Sequence, residues 1–129
     1  MEKHKIFISG PMTGYENFNF PEFDNWEYVL REIGCYDVVN PAHISRKFKK
    51  EEVLKHGEVF KKMVDMQLDE LETCDILFLL DGWEKSEGAR NELLAALELG
   101  LKIVLQPNVH RDLNLLARYQ EIKKLNGES

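Results

Sequence analysis

The chain has 129 residues, a length that fits one compact domain over residues 1–129. Its 43% hydrophobic and 31% charged residues argue against a disordered tail and against a small disulfide-stapled fold. Aspartate plus glutamate outnumber lysine plus arginine by 23 to 17, and a net charge of −6 gives no general attraction for nucleic-acid backbones. No apolar run approaches the roughly 20 residues of a membrane-spanning helix, and the N-terminus lacks the apolar stretch of a secretory signal. We therefore expect a cytoplasmic protein that binds neither a membrane nor a nucleic-acid polymer.

Short apolar runs alternate with amphipathic stretches along the chain, a pattern typical of βαβ units around a parallel sheet. The sequence predicts four strands, at residues 5–9, 36–39, 75–80 and 102–105. It predicts helices at residues 21–33, 51–55, 58–73, 87–99 and 113–125, and loops elsewhere, including residues 40–45. The run at 75–80 is apolar without alternation, as a central strand covered on both faces requires. The pattern as a whole indicates a three-layer α/β domain.

Helical projection predicts which side chains pack on the sheet. For the helix at 58–73 these are Phe60, Val64, Leu68 and Leu71; for the helix at 87–99 they are Ala89, Leu93, Ala96 and Leu97. Cys35 and Cys74 show neither metal spacing nor a disulfide pattern, so we interpret both as core residues. The four histidines likewise show no metal spacing and no Ser-His-Asp arrangement, which favours surface or loop positions.

Three loops should meet at the carboxyl edge of the sheet, where open α/β folds bind ligands. They cover residues 10–20, 40–45 and 81–88. The first carries Gly10 and Gly14, so its backbone N–H groups can approach a ligand closely, although a glycine turn also occurs for purely geometric reasons. It lacks the dinucleotide fingerprint and the phosphate-loop Lys-Ser/Thr pair, which excludes both of those nucleotide-binding modes.

Two polar side chains fall at or inside apolar helix faces. Glu92 projects to the margin of its helix's apolar face near the ligand edge, although its spacing alone is explained more simply by a solvated glutamate. Gln67 projects into the inner face of its helix, whereas Asp65 and Asp69 point away from it. Buried amides need partners, so Gln67 either fastens the helix to a loop or reaches the pocket.

Short motifs spread over roughly residues 5–104 carry a more specific signal: ISGPMTG at 8–14, NFPEF at 19–23, VVNPA at 38–42, CD at 74–75, GWE at 82–84, SEGAR at 86–90, and Glu92. In order and spacing they resemble a phage and bacterial family of uncharacterised proteins allied to the nucleoside 2-deoxyribosyltransferases and the 2'-deoxynucleoside 5'-phosphate N-hydrolases. The resemblance implies a flavodoxin-like or Rossmann-like three-layer sandwich with a parallel sheet of four to five strands. It also implies cleavage of the bond between a nucleobase and deoxyribose, no metal or organic cofactor, and a homodimer or higher homo-oligomer.

The resemblance further implies roles for individual residues. In the relatives a glutamate on the helix after the third strand attacks the anomeric carbon, and Glu92 matches it; an ionised carboxylate there can form a glycosyl-enzyme intermediate. Ser86 matches a serine that contacts phosphate, and the N–H groups of the helix start would assist it. Further expected substrate contacts are Phe7, Gly10, Pro11, Met12, Gly14, Asn40, Gln67, Gly82, Trp83 and Gly88, with Trp83 covering the base.

Two positions depart from the relatives' pattern. Gln67 stands where they usually carry an aspartate, and Phe7 where many have a tyrosine; an amide cannot shuttle a proton, and general acid-base assistance is typically worth about 10² to 10⁴-fold. Asp81, at a strand tip, is the expected catalytic substitute, because Asp65 and Asp69 leave their helix on the wrong side. Two hypotheses result: an N-glycosidase or transferase acting on a deoxynucleoside or its monophosphate, and a nucleotide-binding protein that keeps the pocket without turnover.

Overall fold

The structure, a computed structural model, describes residues 4–34 and 36–127. Its four strands are β1 (His4–Ser9), β2 (Tyr36–Val39), β3 (Ile76–Leu79) and β4 (Lys102–Leu105). They form one parallel sheet in the order β2-β1-β3-β4. The helices are α1 (Phe20–Ile33), α2 (Pro41–Ser45), α3 (Lys50–Leu54), α4 (Glu58–Leu71), α5 (Glu87–Leu99) and α6 (Val109–Leu125). This confirms the predicted flavodoxin-like or Rossmann-like α/β sandwich, with four strands in the described sheet.

Side chains alternate across the sheet and divide the core into two clusters, one on each face. One cluster joins the strands to α1 and α6 and includes Ile6, Ile8, Ile76, Phe78, Phe23, Leu30 and Leu113. Trp26 packs against it, with its ring edge-on to Phe78 at a centroid distance of 5.0 Å. The other cluster joins the strands to α4 and α5 and includes Phe7, Leu77, Leu79, Leu71, Cys74 and Ala96. Every residue of β3 is buried, as its unbroken apolar run predicts.

The connection after β2 differs from the prediction, because residues 40–45 contain the helix α2 rather than a loop. The side-chain oxygen of Asn40 accepts a hydrogen bond from the N–H of Ala42 at 2.9 Å and caps this helix, while Pro41 occupies its first turn. The Asn-Pro pair therefore ends a strand and begins a helix. Helix α6 also begins earlier than predicted, at Val109 instead of residue 113.

The buried face of α4 is rotated from the predicted one. Met63, Gln67 and Leu71 are buried, whereas Phe60, Val64 and Leu68 are partly exposed. The prediction considered the sheet alone, but α2 and α3 also pack against α4 and draw the buried face toward themselves. Gln67 is thus buried as its projection indicated.

On α5 the assignment of Leu97 to the core is wrong, because this side chain is 56% exposed. Ala89 and Ala96 are buried as predicted, and Leu93 is partly buried. Projected at 100° per residue, Leu97 lies about 100° around the helix from the buried Ala96, so it falls at the margin of the buried face.

Cys74 is buried as predicted, and burial raises the pKa of its thiol to about 11. The thiol therefore stays protonated at neutral pH. Cys35 lies outside the described residues. Within the part of the chain that the structure describes, no helix has both the length and the apolar character needed to cross a bilayer.

Candidate functional site

The last residue of β1 and the second turn of α5 meet through a hydrogen bond. Ser9 Oγ donates to Glu92 Oε1 at 2.6 Å. Ser9 is fully buried, whereas Glu92 is partly exposed at the margin of the apolar face of α5. The Glu92 carboxyl thus lies at the carboxyl edge of the sheet, where parallel α/β folds bind ligands.

The surroundings of Glu92 change its acidity. Burial removes water from the carboxylate and raises its pKa to about 7, and the Ser9 hydroxyl partly opposes this rise by stabilising the charged form. Although the Glu92 side chain keeps some exposure, its carboxyl end is closely surrounded by protein. Near neutral pH the group is therefore divided between its acid and carboxylate forms, a property common among functional carboxyls.

Ser9 was absent from the residues that the sequence singled out for the site. It lies two residues after Phe7 and therefore on the same face of β1. Phe7 itself is fully buried in the core cluster beneath α4 and α5. The one signal in the sequence that could have indicated Ser9 is a polar side chain at the end of the apolar run of β1.

An open groove of about 430 Å³ lies at the end of β3; its lining residues are Leu79, Asp81, Trp83, Glu84, Leu105 and Pro107, and they do not include Ser9 or Glu92. Leu79 is the register partner of both Ser9 on β1 and Leu105 on β4. Because neighbouring strands are about 4.8 Å apart, the groove and the Ser9–Glu92 pair flank the end of β3 on the same face. Trp83 is partly buried and provides an aromatic wall, whereas Asp81 is exposed. The backbone N–H of Asp81 donates to Gln106 at 2.9 Å.

Gln67 connects α4 to α2. Its side-chain nitrogen donates to Ser45 Oγ at 3.1 Å, and that hydroxyl contacts the sulfur of Met12 at 3.8 Å. The Ser45 hydroxyl thus links the first loop (residues 10–20) with α2 and α4. Of the two alternatives for the buried Gln67 amide, the observed contact is a fastening between elements.

Asn40 lies at the centre of a polar network between α1 and α2. Its side-chain nitrogen donates to Asp24 at 2.9 Å and to Glu27 at 3.1 Å. Arg46 also pairs with Asp24, at 2.5 Å, and its hydrogen bond is the main reason why the pKa of that carboxyl is lowered. His43 lies 2.7 Å from Glu27. Burial would raise the pKa of Glu27, but hydrogen bonds from His43 and Asn40 contribute to lowering it.

Asp24, Glu27 and His43 are the one group of possible metal ligands among the described residues, with ligand atoms within 4.8 Å of one another. The cation of Arg46 and the amide of Asn40 already satisfy the carboxylates. The arrangement is therefore a network of ion pairs and hydrogen bonds. It fixes α2 against α1 on the edge of the site.

The turn at residues 10–14, which follows β1, lies closely against Leu80, directly after β3. A Cβ on Gly10 would lie 2.8 Å from the Cβ of Leu80, a separation that requires glycine at this position. Pro11 is buried, and its carbonyl accepts a hydrogen bond from Asn19 at 3.0 Å. Gly14 is exposed, with φ of +86°.

The end of this loop adopts an unusual backbone. Residues 17–19 all have left-handed φ angles between 51° and 61°, a conformation that costs a non-glycine residue roughly 1 to 2 kcal/mol. Lys50 lies 4.9 Å from the ring centroid of Phe18, and Arg46 lies 4.8 Å from that of Phe20. These contacts bind the strained segment to α2 and α3.

The third loop approaches the first one. Gly82 has φ of +89°, and a Cβ there would lie 2.9 Å from the hydroxyl of Tyr15. Ser86 caps α5 by accepting a hydrogen bond from the N–H of Ala89 at 3.2 Å. Gly88 is exposed in the first turn of α5. The Ser86 hydroxyl thus occupies the N-terminus of α5, and the exposed Gly88 adds no side chain there.

A family model described as "Domain of unknown function (DUF4406)" matches residues 4–105. The matched range runs from the start of β1 to the end of β4 and includes Ser9, Gln67 and Glu92. In the comparison with curated proteins, none matches.

Proposed function

We propose that this chain, which belongs to the DUF4406 family of unknown function, cleaves or transfers the N-glycosidic bond of a deoxynucleoside or a deoxynucleoside 5'-monophosphate. The observation that carries the proposal is the Ser9–Glu92 pair, a carboxyl oriented by a buried hydroxyl at the carboxyl edge of a parallel sheet. The resemblance of the sequence motifs to deoxyribosyltransferases and N-hydrolases supports the substrate class. The reaction would take place in the cytoplasm of a bacterial cell, including a phage-infected one.

Glu92 acts as the nucleophile in this proposal. Because Ser9 engages Oε1, Oε2 attacks C1' of the sugar; the C1'–O bond forms as the C1'–N bond breaks, and the base leaves with the bonding electron pair. A water molecule then adds to C1' and regenerates the carboxylate, or a second base accepts the sugar. The negative charge beside C1' stabilises the oxocarbenium-like transition state.

The groove at the end of β3, whose residue Leu79 is the register partner of Ser9, offers room for the base. Trp83 provides an aromatic surface there, and Asp81 brings a carboxyl that can transfer a proton to or from the leaving group. The N-terminus of α5 with its capping residue Ser86, together with the turn from Gly10 to Gly14, would hold the 5' end or its phosphate.

The test is to incubate the protein with each deoxynucleoside and deoxynucleoside monophosphate and to quantify free base by chromatography. We expect release from at least one substrate and its loss in Glu92→Ala. Glu121→Gln, an exposed position on α6, is the matched control and should retain release. Base release that persists in Glu92→Ala would remove this mechanism. Adding a second free base distinguishes transfer from hydrolysis.

A nucleotide-binding protein without turnover is the second candidate, favoured by one observation. The Gln67 amide, at the position where relatives carry an aspartate, bonds to Ser45 and carries no transferable proton. Calorimetric binding of a deoxynucleotide without base release would support this function. A gain of base release in Gln67→Asp would identify the missing proton donor, and a failure of every nucleotide to bind would contradict both candidates.

A further inference from the structure

The groove at the end of β3 has walls of only three chemical kinds. Its lining residues are apolar, aromatic or acidic: Leu79, Leu105, Pro107, Trp83, Asp81 and Glu84. In the described part of the chain, these residues include no lysine, arginine, asparagine or glutamine. The volume of about 430 Å³ falls within the range of small-molecule sites. The groove therefore fits a flat ring that offers hydrogen-bond donors at its edge.

The aromatic surface and one of the carboxylates come from the same helical turn, Trp83–Lys85. Trp83 packs against the core cluster beneath α5, and its backbone N–H donates to the carbonyl of Leu80 at 3.2 Å. Arg90 donates a guanidinium N–H to the backbone carbonyl of Glu84 at 2.8 Å and ties the turn to α5. Because this backbone is held on both sides, little ordering is needed when a ligand binds there.

The carboxylate of Glu84 is available as an acceptor. Arg90 contacts the backbone carbonyl of Glu84 rather than its side chain, and among the described residues no ion pair engages this carboxylate. The neighbouring backbone N–H of Asp81 is already bonded to the side-chain oxygen of Gln106, at 2.9 Å. A carboxylate accepts hydrogen bonds and donates none, so a ligand edge beside Glu84 must supply the donor.

Nucleobases differ in this property. Cytosine and adenine carry an exocyclic amino group, which donates hydrogen bonds, whereas uracil and hypoxanthine carry a keto oxygen at the same ring position, which accepts them. A keto oxygen beside the Glu84 carboxylate would place two acceptors against each other. Stacking on Trp83 is open to all four rings, because each has an aromatic face. The groove should therefore discriminate by the donor at the edge of the base.

We propose that Glu84 sets the base preference of the site by accepting a hydrogen bond from the exocyclic amino group of a base that stacks on Trp83. The substrate class is then the nucleotides of deoxycytidine and deoxyadenosine, and those of deoxyuridine and deoxyinosine are disfavoured. The inference rests on the proposed function for placing a nucleobase in the groove. It requires no cleavage, however, since binding alone reveals the preference. Asp81 keeps its proposed role in proton transfer.

Two matched pairs of ligands test the preference: deoxycytidine against deoxyuridine monophosphate, and deoxyadenosine against deoxyinosine monophosphate. Binding is measured by calorimetry on Glu92→Gln, which lacks the proposed nucleophile and leaves the ligand intact. We expect the amino-bearing member of each pair to bind at least about tenfold more tightly. In the unmodified protein, kcat/KM for base release should favour the same member. Equal affinities within the pairs, tighter binding of the keto members, or no binding of any of the four overturns the inference.

The same measurements separate this inference from the proposed function. Base release at equal rates from both members of each pair would contradict the preference and leave the cleavage reaction standing. A preference in binding without any base release would contradict the cleavage reaction and leave the role of Glu84 standing.

Three variants assign the preference to one residue. Glu84→Gln presents an amide that both donates and accepts, so the ratio within each pair should fall to about threefold or less. Glu84→Lys presents donors alone and should invert the preference. Glu84 is exposed, so neither change disturbs the core. Asp81→Asn, the matched control in the same groove, should lower base release but keep the preference in binding. A preference that survives both Glu84 variants, or that is lost in Asp81→Asn and kept in Glu84→Gln, contradicts the assignment.

Discussion

Ser9 and Glu92, 83 positions apart in the chain, are joined by a 2.6 Å hydrogen bond between the end of β1 and the second turn of α5. The donor is fully buried and the acceptor has lost most of its water. A hydrogen bond to a charged group in such surroundings is stronger than an exposed one. It therefore determines both the orientation of the carboxyl and part of its acidity.

The rate of base release should depend on the ionisation of Glu92. Because only the carboxylate attacks, kcat/KM should rise about tenfold per pH unit below the pKa of about 7 and level off above it. Ser9→Ala removes an interaction that lowers this pKa and should move the midpoint to higher pH. The measurement is a rate profile from about pH 5 to 9, with Ser45→Ala as the matched serine control. An unchanged midpoint in Ser9→Ala would show that Ser9 does not tune the nucleophile.

Glu92→Gln should stabilise the protein at alkaline pH. The pKa of Glu92 is raised from 4.5 to about 7 on folding, so its favourable contribution is present below pH 4.5 and is lost as the pH rises through 7. A neutral amide avoids this loss, and the gain at pH 8 should approach about 3 kcal/mol. Urea unfolding at pH 5 and pH 8 measures it. Glu121→Gln should show no such difference, and an equal effect of Glu92→Gln at both pH values would refute the prediction.

Gly10→Ala should destabilise the protein by about 1 to 3 kcal/mol, because the new methyl group meets the Cβ of Leu80 at 2.8 Å. Gly88→Ala is the comparison, since the nearest atom to its new methyl group is the Ser86 hydroxyl at 3.9 Å. Within α5 that change should stabilise by up to about 1 kcal/mol. Thermal unfolding of both variants measures the difference, and equal effects would argue against a close approach at Gly10.

Asn40→Asp should destabilise the protein at neutral pH although it keeps a capping oxygen for α2. The substitution replaces the amide that donates to Asp24 and Glu27 with a third carboxylate. Loss of those hydrogen bonds and the added repulsion should cost about 1 to 3 kcal/mol at pH 7. The penalty should shrink toward pH 4, because repulsion among the three carboxylates favours protonation of one of them. Asn40→Ser keeps the cap without charge, so a penalty that is equal for both variants at pH 7 would exclude repulsion as its cause.

The sheet and most helices were predictable because their signals are periodic and local. The run at Ile76–Leu79 needs no knowledge of distant residues to predict a buried strand. The five-residue helix α2 is too short to show a period, and its Asn-Pro start is also a strand-end signal. Leu97 was misplaced because it lies at the margin of the apolar face of α5, where periodicity alone does not determine how far the packing extends.

The candidate site was predictable only in part, since its contacts join residues far apart in the chain. The projection placed Glu92 at the edge of the apolar face, but its partner Ser9 could be identified only once α5 was positioned over β1. The hydrogen bond from Gln67 to Ser45 could not be predicted either, because Ser45 is the last residue of α2, a helix that the sequence did not predict.

The two tryptophans lie in different parts of the molecule and can serve as separate intrinsic fluorescence probes. Trp83 lines the groove, whereas Trp26 packs edge-on to Phe78 on the opposite face of the sheet. With Trp26→Phe, the remaining indole emission reports occupancy of the groove; with Trp83→Phe, it reports the integrity of the packing beneath α1. A titration and an unfolding curve can thus be recorded optically without attaching a dye.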